Sequence, residues 1–320
     1  MFRFIGVILI CIGSAASAAE LPSEDNAEAW LTKMANSLRG MNYDMSFVVL
    51  QPSSAAEPYR WRHAIVDGQE MEHLSLLNGP GREIVRVGSK VSFFEPNVPA
   101  YSLASDTING PIPAVLFHQP LELENAYHFV LVGRSRISGR STQQVRIVCK
   151  DKNRYGFNLW LDQETGLLLK LDMVDQQGKI VEQIQTTSIN VTEKPAEIFT
   201  RIEEAKLPAV VDVTPRNLQA HQWQLDWLPE GMAEVKRDTH RLSVTGQIVD
   251  YILLSDGLVD VSVYLQDGDM AETGKNVYRH GAETYYSYHQ GALEVTIVGK
   301  LPVQTADRIA QSLSIRSMPN

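Results

Sequence analysis

Alternating side chains dominate the middle of this chain, and they constrain its fold more than any other feature. Polar and apolar residues alternate through residues 127–183, with short turns at 163–166 and 175–178. Strand 154–162 has an apolar face of four residues: Tyr155, Phe157, Leu159 and Leu161. The next strand has another: Leu167, Leu169, Leu171 and Met173. Long strands joined by short turns predict an antiparallel meander, whose apolar face must be covered by a helix, a partner or a lipid.

The N-terminal half continues this pattern behind one predicted helix. Five apolar residues within 25–39 share one helical face, and a glycine follows them: Ala27, Trp30, Leu31, Met34, Leu38 and then Gly40. Alternation predicts four further strands, at 45–50, 59–66, 82–87 and 90–94, the last two joined by a Gly-containing hairpin turn. Residues 97–120 predict a loop with one helical turn near 114–117, and residues 196–205 predict a short amphipathic helix.

A second unit follows a stretch in which the periodicity fades. Residues 206–222 contain Pro208 and Pro215 and predict an interdomain linker. Beyond it, alternation predicts strands at 249–254, 258–265, 284–289 and 292–298, followed by an amphipathic helix at 302–314. We therefore divide the chain into four parts: residues 1–18, 19–205 (the large domain), 206–222 (the linker) and 223–320 (a small α+β domain).

The first residues predict a secretory signal peptide. A basic start, an apolar run over residues 4–12 and small residues ending at Ala18 fit export with cleavage near Ala18, so we expect a periplasmic protein. Cys149 is then the only cysteine left, which excludes an intramolecular disulfide; a buried thiol is favoured over a redox role. The formal charge of −9, without blocks of Lys or Arg, does not suggest a nucleic-acid partner.

The sequence offers no motif for catalysis. The eight histidines form no HExxH or similar metal spacing, and there is no nucleophile elbow, phosphate loop or dinucleotide fingerprint. We therefore expect no enzyme, no metal and no cofactor, although a site assembled from distant residues would escape this reading.

Two non-catalytic features suggest binding. The first is aromatic, and it has two interpretations: an ordinary core under the helices, or a curved sheet that encloses an acyl-chain cavity. The candidate cavity residues are Phe47, Tyr59, Trp61, Phe93, Tyr155 and Phe157. The second is basic, and it is either an exposed sheet face or a site for phosphate or an acidic peptide. The candidate anion- and partner-binding residues are Arg60, Arg62, Arg82 and Arg86.

Seven sequence motifs, in this order, give the chain a resemblance to a known family. They are Gly79-Pro80-x-Arg82-Glu83-x-Val85-Arg86-x-Gly88, Phe94-x-Pro96, Arg154-Tyr155-Gly156, Leu159-Trp160-Leu161-Asp162 with Thr165-Gly166-Leu167-Leu168-Leu169, Trp227-Leu228-Pro229-x-Gly231, Ser255-Asp256-Gly257-Leu258, and Val298-Gly299-x-Leu301-Pro302 with Thr305-Ala306. Together they resemble the MucB/RseB family of periplasmic negative regulators of the sigma-E envelope stress response. The resemblance covers essentially the whole chain after the signal peptide.

This resemblance implies a fold and a function. The large domain should be an unclosed antiparallel β-barrel with helices on its concave side, similar to the lipoprotein carriers LolA and LolB, and the small domain should be α+β. The family implies binding of the periplasmic region of the anti-sigma factor RseA and its protection from site-1 proteolysis. Lipopolysaccharide or other envelope amphiphiles would relieve this inhibition, and lipopolysaccharide or lipoprotein acyl chains are the expected ligands besides the anti-sigma factor. A periplasmic lipid or lipoprotein shuttle is the alternative, and the oligomeric state is left open, a homo-oligomer included.

Overall fold

The structure is a computed structural model that describes residues 26–211, 223–241, 248–267, 274–290 and 293–315. The predicted signal peptide, residues 1–18, lies outside the described residues, as do residues 212–222 of the predicted linker.

An eleven-stranded antiparallel sheet forms the N-terminal part of the molecule. Its strands are β1 Asn42–Leu50, β2 Glu57–Val66, β3 Gln69–Leu76, β4 Arg82–Val87, β5 Lys90–Phe94, β6 Tyr101–Ala104, β7 Tyr127–Ile137, β8 Arg140–Cys149, β9 Gly156–Asp162, β10 Leu168–Val174 and β11 Ile180–Thr192. The accompanying helices are α1 Ala27–Gly40, α2 Val115–His118 and α3 Glu197–Thr200. The strand order is β6-β5-β4-β3-β2-β1-β11-β10-β9-β8-β7, so β6 and β7 are the two edges.

The sheet curls around α1. This helix begins at Ala27, after the side chain of Asn26 accepts a hydrogen bond of 2.7 Å from the backbone N–H of Ala29. It packs against β2 and also against β7 and β8. Strands β2 and β7 are six positions apart, which in a flat sheet would separate them by about 29 Å. One helix can contact both only if the sheet bends around it, and this confirms the predicted unclosed barrel with a helix on its concave face.

Most of the predicted strands are present, with one corrected face assignment. Simple alternation predicts that Leu169 faces the core and Leu168 faces away. A β-bulge between Leu168 and Lys170 shifts the register, so Leu168 pairs with Leu161 and joins the core cluster beside Leu171. The bulge inserts one residue, so Leu168 changes face, while Leu167, which precedes the strand, is in the core cluster as alternation predicts.

In the N-terminal part, two strands and one helix differ from the sequence prediction, and in the C-terminal part the strands Trp223–Leu225, Ala233–Arg241, Gly274–His280 and Leu313–Ile315 were not predicted. Strand β3 was not predicted, and β6 lies inside the predicted loop. The predicted helix at 196–205 is a single turn, α3, followed by a 3-10 turn at Glu204–Lys206. The buried Phe199 of α3 nevertheless covers a small apolar cluster on the convex face of the sheet, together with Met71 and Val85.

The C-terminal part is a smaller α+β unit. Its elements are β12 Trp223–Leu225, β13 Ala233–Arg241, β14 Ile248–Ser255, β15 Asp260–Asp267, β16 Gly274–His280, β17 Glu283–Gln290, β18 Leu293–Gly299, α4 Val303–Gln311 and β19 Leu313–Ile315. Six strands form one sheet in the order β13-β14-β15-β18-β17-β16, and β12 pairs with β19. Helix α4 packs on β17 and β18 through buried Ala306, Ile309 and Ala310, as its periodicity predicts. The predicted α+β class is confirmed.

Candidate functional site: the surface between the two domains

A buried carboxylate from the small domain enters the large domain. Asp256 lies in the turn between β14 and β15, where its Oδ1 accepts the backbone N–H groups of Leu258 and Val259 at 2.9 and 2.8 Å. Its Oδ2 accepts hydrogen bonds from Arg154 Nη1 at 2.7 Å and from the hydroxyl of Tyr127 at 2.8 Å. The side chains of Arg154 and Asp256 are both 0% exposed, so solvent does not reach this ion pair.

Tyr127 and Arg154 contact each other as well as this carboxylate. Arg154 lies over the ring of Tyr127, with 5.1 Å between the guanidinium carbon and the ring centroid. Burial, followed by the negative charge of Asp256, raises the pKa of Tyr127 well above its usual range, so the hydroxyl remains a neutral donor. A buried charge must be paired and hydrogen-bonded, and here Asp256 pairs with Arg154 and accepts the Tyr127 hydroxyl, while the Nε of Arg154 has no hydrogen-bond partner among the described residues.

A second carboxylate extends this contact. Asp151 accepts hydrogen bonds from Arg154 Nη2 at 3.2 Å, from the thiol of Cys149 at 2.9 Å and, through its other oxygen, from the backbone N–H of Glu230 at 2.8 Å. Burial alone would raise the pKa of Asp151, but hydrogen bonds from Asn153, Cys149 and Glu230 hold it well below its usual range. Burial and this same carboxylate raise the pKa of the Cys149 thiol, which agrees with an unreactive role.

Close packing surrounds these polar contacts. Gly231 has a φ of +76°, and a Cβ on it would lie 2.7 Å from the Cβ of Ala126, so both the backbone and the space favour glycine. Thr305 at the start of α4 donates a hydrogen bond of 2.6 Å to the carbonyl of Asn153. The hydroxyl of Tyr155 donates to the carbonyl of Leu301 at 3.3 Å. Four of the sequence motifs therefore meet at the surface between the domains.

Another part of this surface carries a different ion pair. Lys300, after β18, donates a hydrogen bond of 2.6 Å to Oε1 of Glu182 on β11. Gln51, after β1, donates to Oε2 of the same carboxylate at 2.6 Å. The side chain of Lys300 is 37% exposed, whereas that of Glu182 is 3% exposed, so this pair lies at the boundary with solvent.

Two neighbouring cavities meet at this second ion pair. The larger interdomain cavity has a volume of about 470 Å³, and the walls include Phe157, Met173 and Leu258. The smaller interdomain cavity has a volume of about 220 Å³, and the walls include Tyr59 and Arg82. Both are lined by the segment 109–111 and by Glu182 and Lys300. The two cavities therefore lie between the concave face of the large sheet and the small domain.

The six candidate cavity residues take different positions. Tyr59 lines the smaller cavity and Phe157 lines the larger one. Phe47 and Trp61 are buried in stacked pairs with Tyr59 and Phe117, and the indole N–H of Trp61 donates to Glu72. The two others lie apart: Phe93 is half-buried and stacked on Tyr101, and Tyr155 is buried at the interdomain surface. The structure thus brings two of the six to cavity walls.

The four candidate arginines do not form one cluster. Arg60 and Arg62 lie on the convex face of the sheet, where both contact Asp44. Arg82 and Arg86 lie on the concave face, because strand pairing places them in line with Leu76 and Glu72. Arg82 is half-exposed and pairs with Glu95 at 3.4 Å. These positions give two separate pairs, and anion binding by either pair stays a prediction.

Arg86 belongs to a buried charged cluster that the sequence did not reveal. Its guanidinium contacts Glu72 at 2.5 Å and Glu70 at 2.7 Å, and His63 contacts Glu70 at 3.2 Å. Burial alone would raise the pKa of Glu70, but the hydrogen bond with His63 and the charge of Arg86 lower it to about 2. Each nitrogen of the guanidinium thus has a partner in this cluster or in the carbonyl of Gly88, and the Arg86 side chain is 3% exposed.

Three side chains of the interdomain surface escaped the sequence reasoning as functional residues: Asp256, Glu182 and Lys300. Asp256 lies in the motif Ser255-Asp256-Gly257-Leu258, between two predicted strands, but the sequence does not indicate its partner in the large domain. Among the described residues, no group of three or more His, Cys, Asp or Glu side chains could hold a metal ion. Within the same ranges, no helix has the length and apolar character needed to cross a membrane.

Comparison with known proteins agrees with this two-part structure. The MucB/RseB N-terminal domain matches residues 26–211, and the MucB/RseB C-terminal domain matches residues 217–314. The sigma-E factor regulatory protein RseB of Haemophilus influenzae is 32% identical over 309 residues, which is 96% of either chain.

Two solved structures that contain MucB are also similar. In the complex of Pseudomonas aeruginosa MucA and MucB, the matched chain has a TM-score of 0.74 at 28% identity, covering 91% of this chain and 99% of the other. A crystal structure of MucB has a TM-score of 0.60 at 26% identity, covering 91% and 98%. Two domain matches and a relative that spans nearly the whole length lead to one conclusion: the chain belongs to the MucB/RseB family.

Proposed function

We propose that this protein is a non-catalytic, periplasmic negative regulator of the sigma-E envelope stress response. It binds the periplasmic region of an anti-sigma factor of the RseA type and protects that region from site-1 proteolysis. The name of the Haemophilus relative and the solved complex of MucA with MucB support this assignment. The division into a large domain at 19–205, a linker at 206–222 and a small domain at 223–320 is part of the proposal.

The observation that carries the proposal is the buried contact between the domains. A peptide that touches both domains binds well only when their relative orientation is fixed, because the second contact then forms at high effective concentration. The Arg154–Asp256 pair and the Tyr127 hydroxyl fix one part of the interdomain surface without access to solvent. One apolar cluster also runs through both domains, from Trp30 in α1 to Ile309 in α4.

Relief by lipopolysaccharide or another envelope amphiphile has a structural basis in the interdomain cavities. The larger cavity, at about 470 Å³, falls within the usual range of about 300–1,000 Å³ for small-molecule sites. Because Phe157 and Leu258 line it from different domains, a ligand there contacts both of them. A ligand that prefers a different domain arrangement would shift the population toward that arrangement and so lower the affinity for the peptide.

Calorimetry with the anti-sigma factor's periplasmic segment tests the assignment. The full chain should bind, and it should slow cleavage of that segment by the site-1 protease. Each half, expressed separately on either side of the linker, should bind far more weakly. Unprotected cleavage at saturating protein would refute the regulatory role, while full affinity in one isolated half would refute the contact with both domains.

The cavities also favour a second candidate, a periplasmic carrier of lipids or lipoproteins. The carrier needs the same cavity but no peptide partner. A pull-down from periplasmic extract separates the two: the regulator retains the anti-sigma segment, whereas a carrier transfers a bound lipid to an acceptor protein and retains no such segment.

A further inference from the structure

The Glu182–Lys300 pair stands where the two interdomain cavities meet, and it links the two domains. We propose that Lys300 recognises the negatively charged headgroup of an amphiphile, and that this headgroup loosens the interdomain surface by drawing Lys300 away from Glu182. This inference rests on the proposed function, because it names the contact through which an amphiphile acts on the domain arrangement.

The two members of the pair differ in their freedom to move. Both carboxylate oxygens of Glu182 are occupied, one by Lys300 and the other by Gln51, each at 2.6 Å, and the side chain is 3% exposed. Lys300 is 37% exposed and has a long, flexible stem. An incoming anion therefore competes for the lysine, while the carboxylate stays in place with the amide of Gln51.

The surroundings select an anionic headgroup joined to an apolar chain. The larger cavity offers apolar walls from Phe157, Leu171 and Met173, and Lys300 stands at its boundary with the smaller one. The smaller cavity adds Arg82, which is half-exposed and offers a second cation to a headgroup that enters there.

Three of the four acidic side chains at these walls accept hydrogen bonds from the protein. Besides Glu182, the smaller cavity is lined by Glu57, whose carboxylate accepts a hydrogen bond of 3.0 Å from Tyr59. The larger cavity is lined by Asp260 and Glu283, and Glu283 accepts a hydrogen bond of 2.9 Å from Tyr285. Lys300 is thus the cation that both cavities share, and a phosphate or carboxylate is the headgroup that fits it.

The two ion pairs of the interdomain surface then respond differently to a ligand. Arg154 and Asp256 are both fully buried, so a ligand in the cavities does not reach them. The Glu182–Lys300 pair is open to the cavities and breaks first. The small domain would pivot about the buried pair, and the coupling must be reciprocal: bound peptide lowers the affinity for the amphiphile by the same factor.

Two variants of the same ion pair test this inference, because the inference gives them opposite effects. The probes are dodecyl phosphate and dodecyltrimethylammonium, which share a chain length and differ in charge. Lys300→Met should weaken the binding of dodecyl phosphate about tenfold and abolish the preference over the cationic probe. Glu182→Gln removes the competitor for the lysine, so it should strengthen the binding of dodecyl phosphate. Lys275→Met is the matched control, since Lys275 pairs with Asp307 inside the small domain.

The outcomes separate this inference from the proposed function. If both variants weaken binding of dodecyl phosphate equally, the pair is only structural and the inference is wrong. Equal affinity of the wild type for the two probes would also overturn it, even if the protein still protected the anti-sigma segment. If the charge preference is present but dodecyl phosphate leaves the affinity for that segment unchanged, then headgroup recognition stands and the loosening of the interdomain surface is wrong. If the wild-type protein does not bind the anti-sigma segment at all, the proposed function is wrong instead.

Discussion

Truncating Asp256 should separate the two domains more effectively than any surface substitution. The carboxylate accepts four hydrogen bonds, two from backbone N–H groups of its own turn and two from Arg154 and Tyr127 across the interdomain surface. Asp256→Ala leaves the arginine buried and without its main counter-charge. Removing one member of a buried pair costs about 3–5 kcal/mol. Asp151, which contacts the same guanidinium at 3.2 Å, keeps the expected loss at the lower end of that range.

A double-mutant cycle measures the interaction energy between Arg154 and Asp256 themselves. Asp256→Asn, Arg154→Met and the combined variant should be unfolded in urea and followed by circular dichroism. We expect a coupling energy of about 2 kcal/mol, because each single variant leaves a buried polar group unsatisfied and the double variant leaves fewer. If urea unfolding shows two transitions, the coupling energy is calculated from the free energy of the first transition.

The control cycle uses an exposed pair within one domain. Arg237 contacts Glu234 at 2.6 Å on β13, and both side chains are about one-third exposed, 31% and 37%. Such pairs contribute about 0–1 kcal/mol. A coupling energy for Arg154 and Asp256 below about 0.5 kcal/mol, no larger than this control, would refute the reasoning that the buried pair fixes the domain arrangement.

Two further predictions concern packing and pH. Gly231→Ala should lower the free energy of unfolding in urea by about 1–3 kcal/mol. The new methyl group would collide with Ala126, just before β7, and alanine is strained at a positive φ. Gly133→Ala is the control in the same assay, because a Cβ at Gly133 meets no atom of the described residues within 4 Å. Stability should fall as the pH drops from about 4.5 to about 2, since the folded state lowers the pKa of Glu70 and protonation favours the unfolded chain. The urea concentrations at the midpoint of unfolding at pH 5 and pH 3 measure this loss of stability. Glu70→Gln should reduce the difference between the two midpoints. If the variant shows the same difference as the wild type, the cluster around Arg86 does not cause the pH dependence.

Periodicity was sufficient where one face of a strand is apolar. The hairpin of β4 and β5 has the bounds that alternation predicts, because Gly88 supplies the positive φ of +57° that the turn needs. The predicted helix at 25–39 and the observed α1 agree to within two residues at each end, because most of the buried residues of α1 are apolar. Local patterns therefore recovered the fold class and most of the elements.

The alternation of polar and apolar residues did not predict a strand whose buried charged side chains pair with charges on a neighbouring strand. Strand β3 carries Glu70 and Glu72 on its concave face and His73 on the other, so neither face looks apolar in the sequence. These carboxylates are neutralised by Arg86 from the neighbouring strand, which no single-strand pattern can show.

Distance along the chain hid the rest of the candidate site. Arg154 and Asp256 are 102 residues apart, and Glu182 and Lys300 are 118 residues apart. Each residue alone has an ordinary interpretation as a turn or a surface charge. The four candidate arginines failed as one cluster for a related reason, because sequence proximity does not fix which face of a sheet a side chain occupies.

The start of the predicted linker covers one edge of the large sheet. Val210 lies parallel to β6, the backbone N–H of Val211 donates to the carbonyl of Ser102 at 2.8 Å, and the Ser102 hydroxyl donates to the carbonyl of Pro208 at 2.8 Å. These contacts occupy hydrogen-bonding groups of an edge strand that could otherwise recruit a strand from another molecule.

The opposite edge, β7, is protected in another way. Its register is interrupted between Leu131 and Arg134, and the exposed side chains of Arg134 and Arg136 follow the interruption. Bulges and positive charges are both known to prevent edge-to-edge aggregation. Both edges of the large sheet thus carry features that hinder pairing with a strand of another molecule.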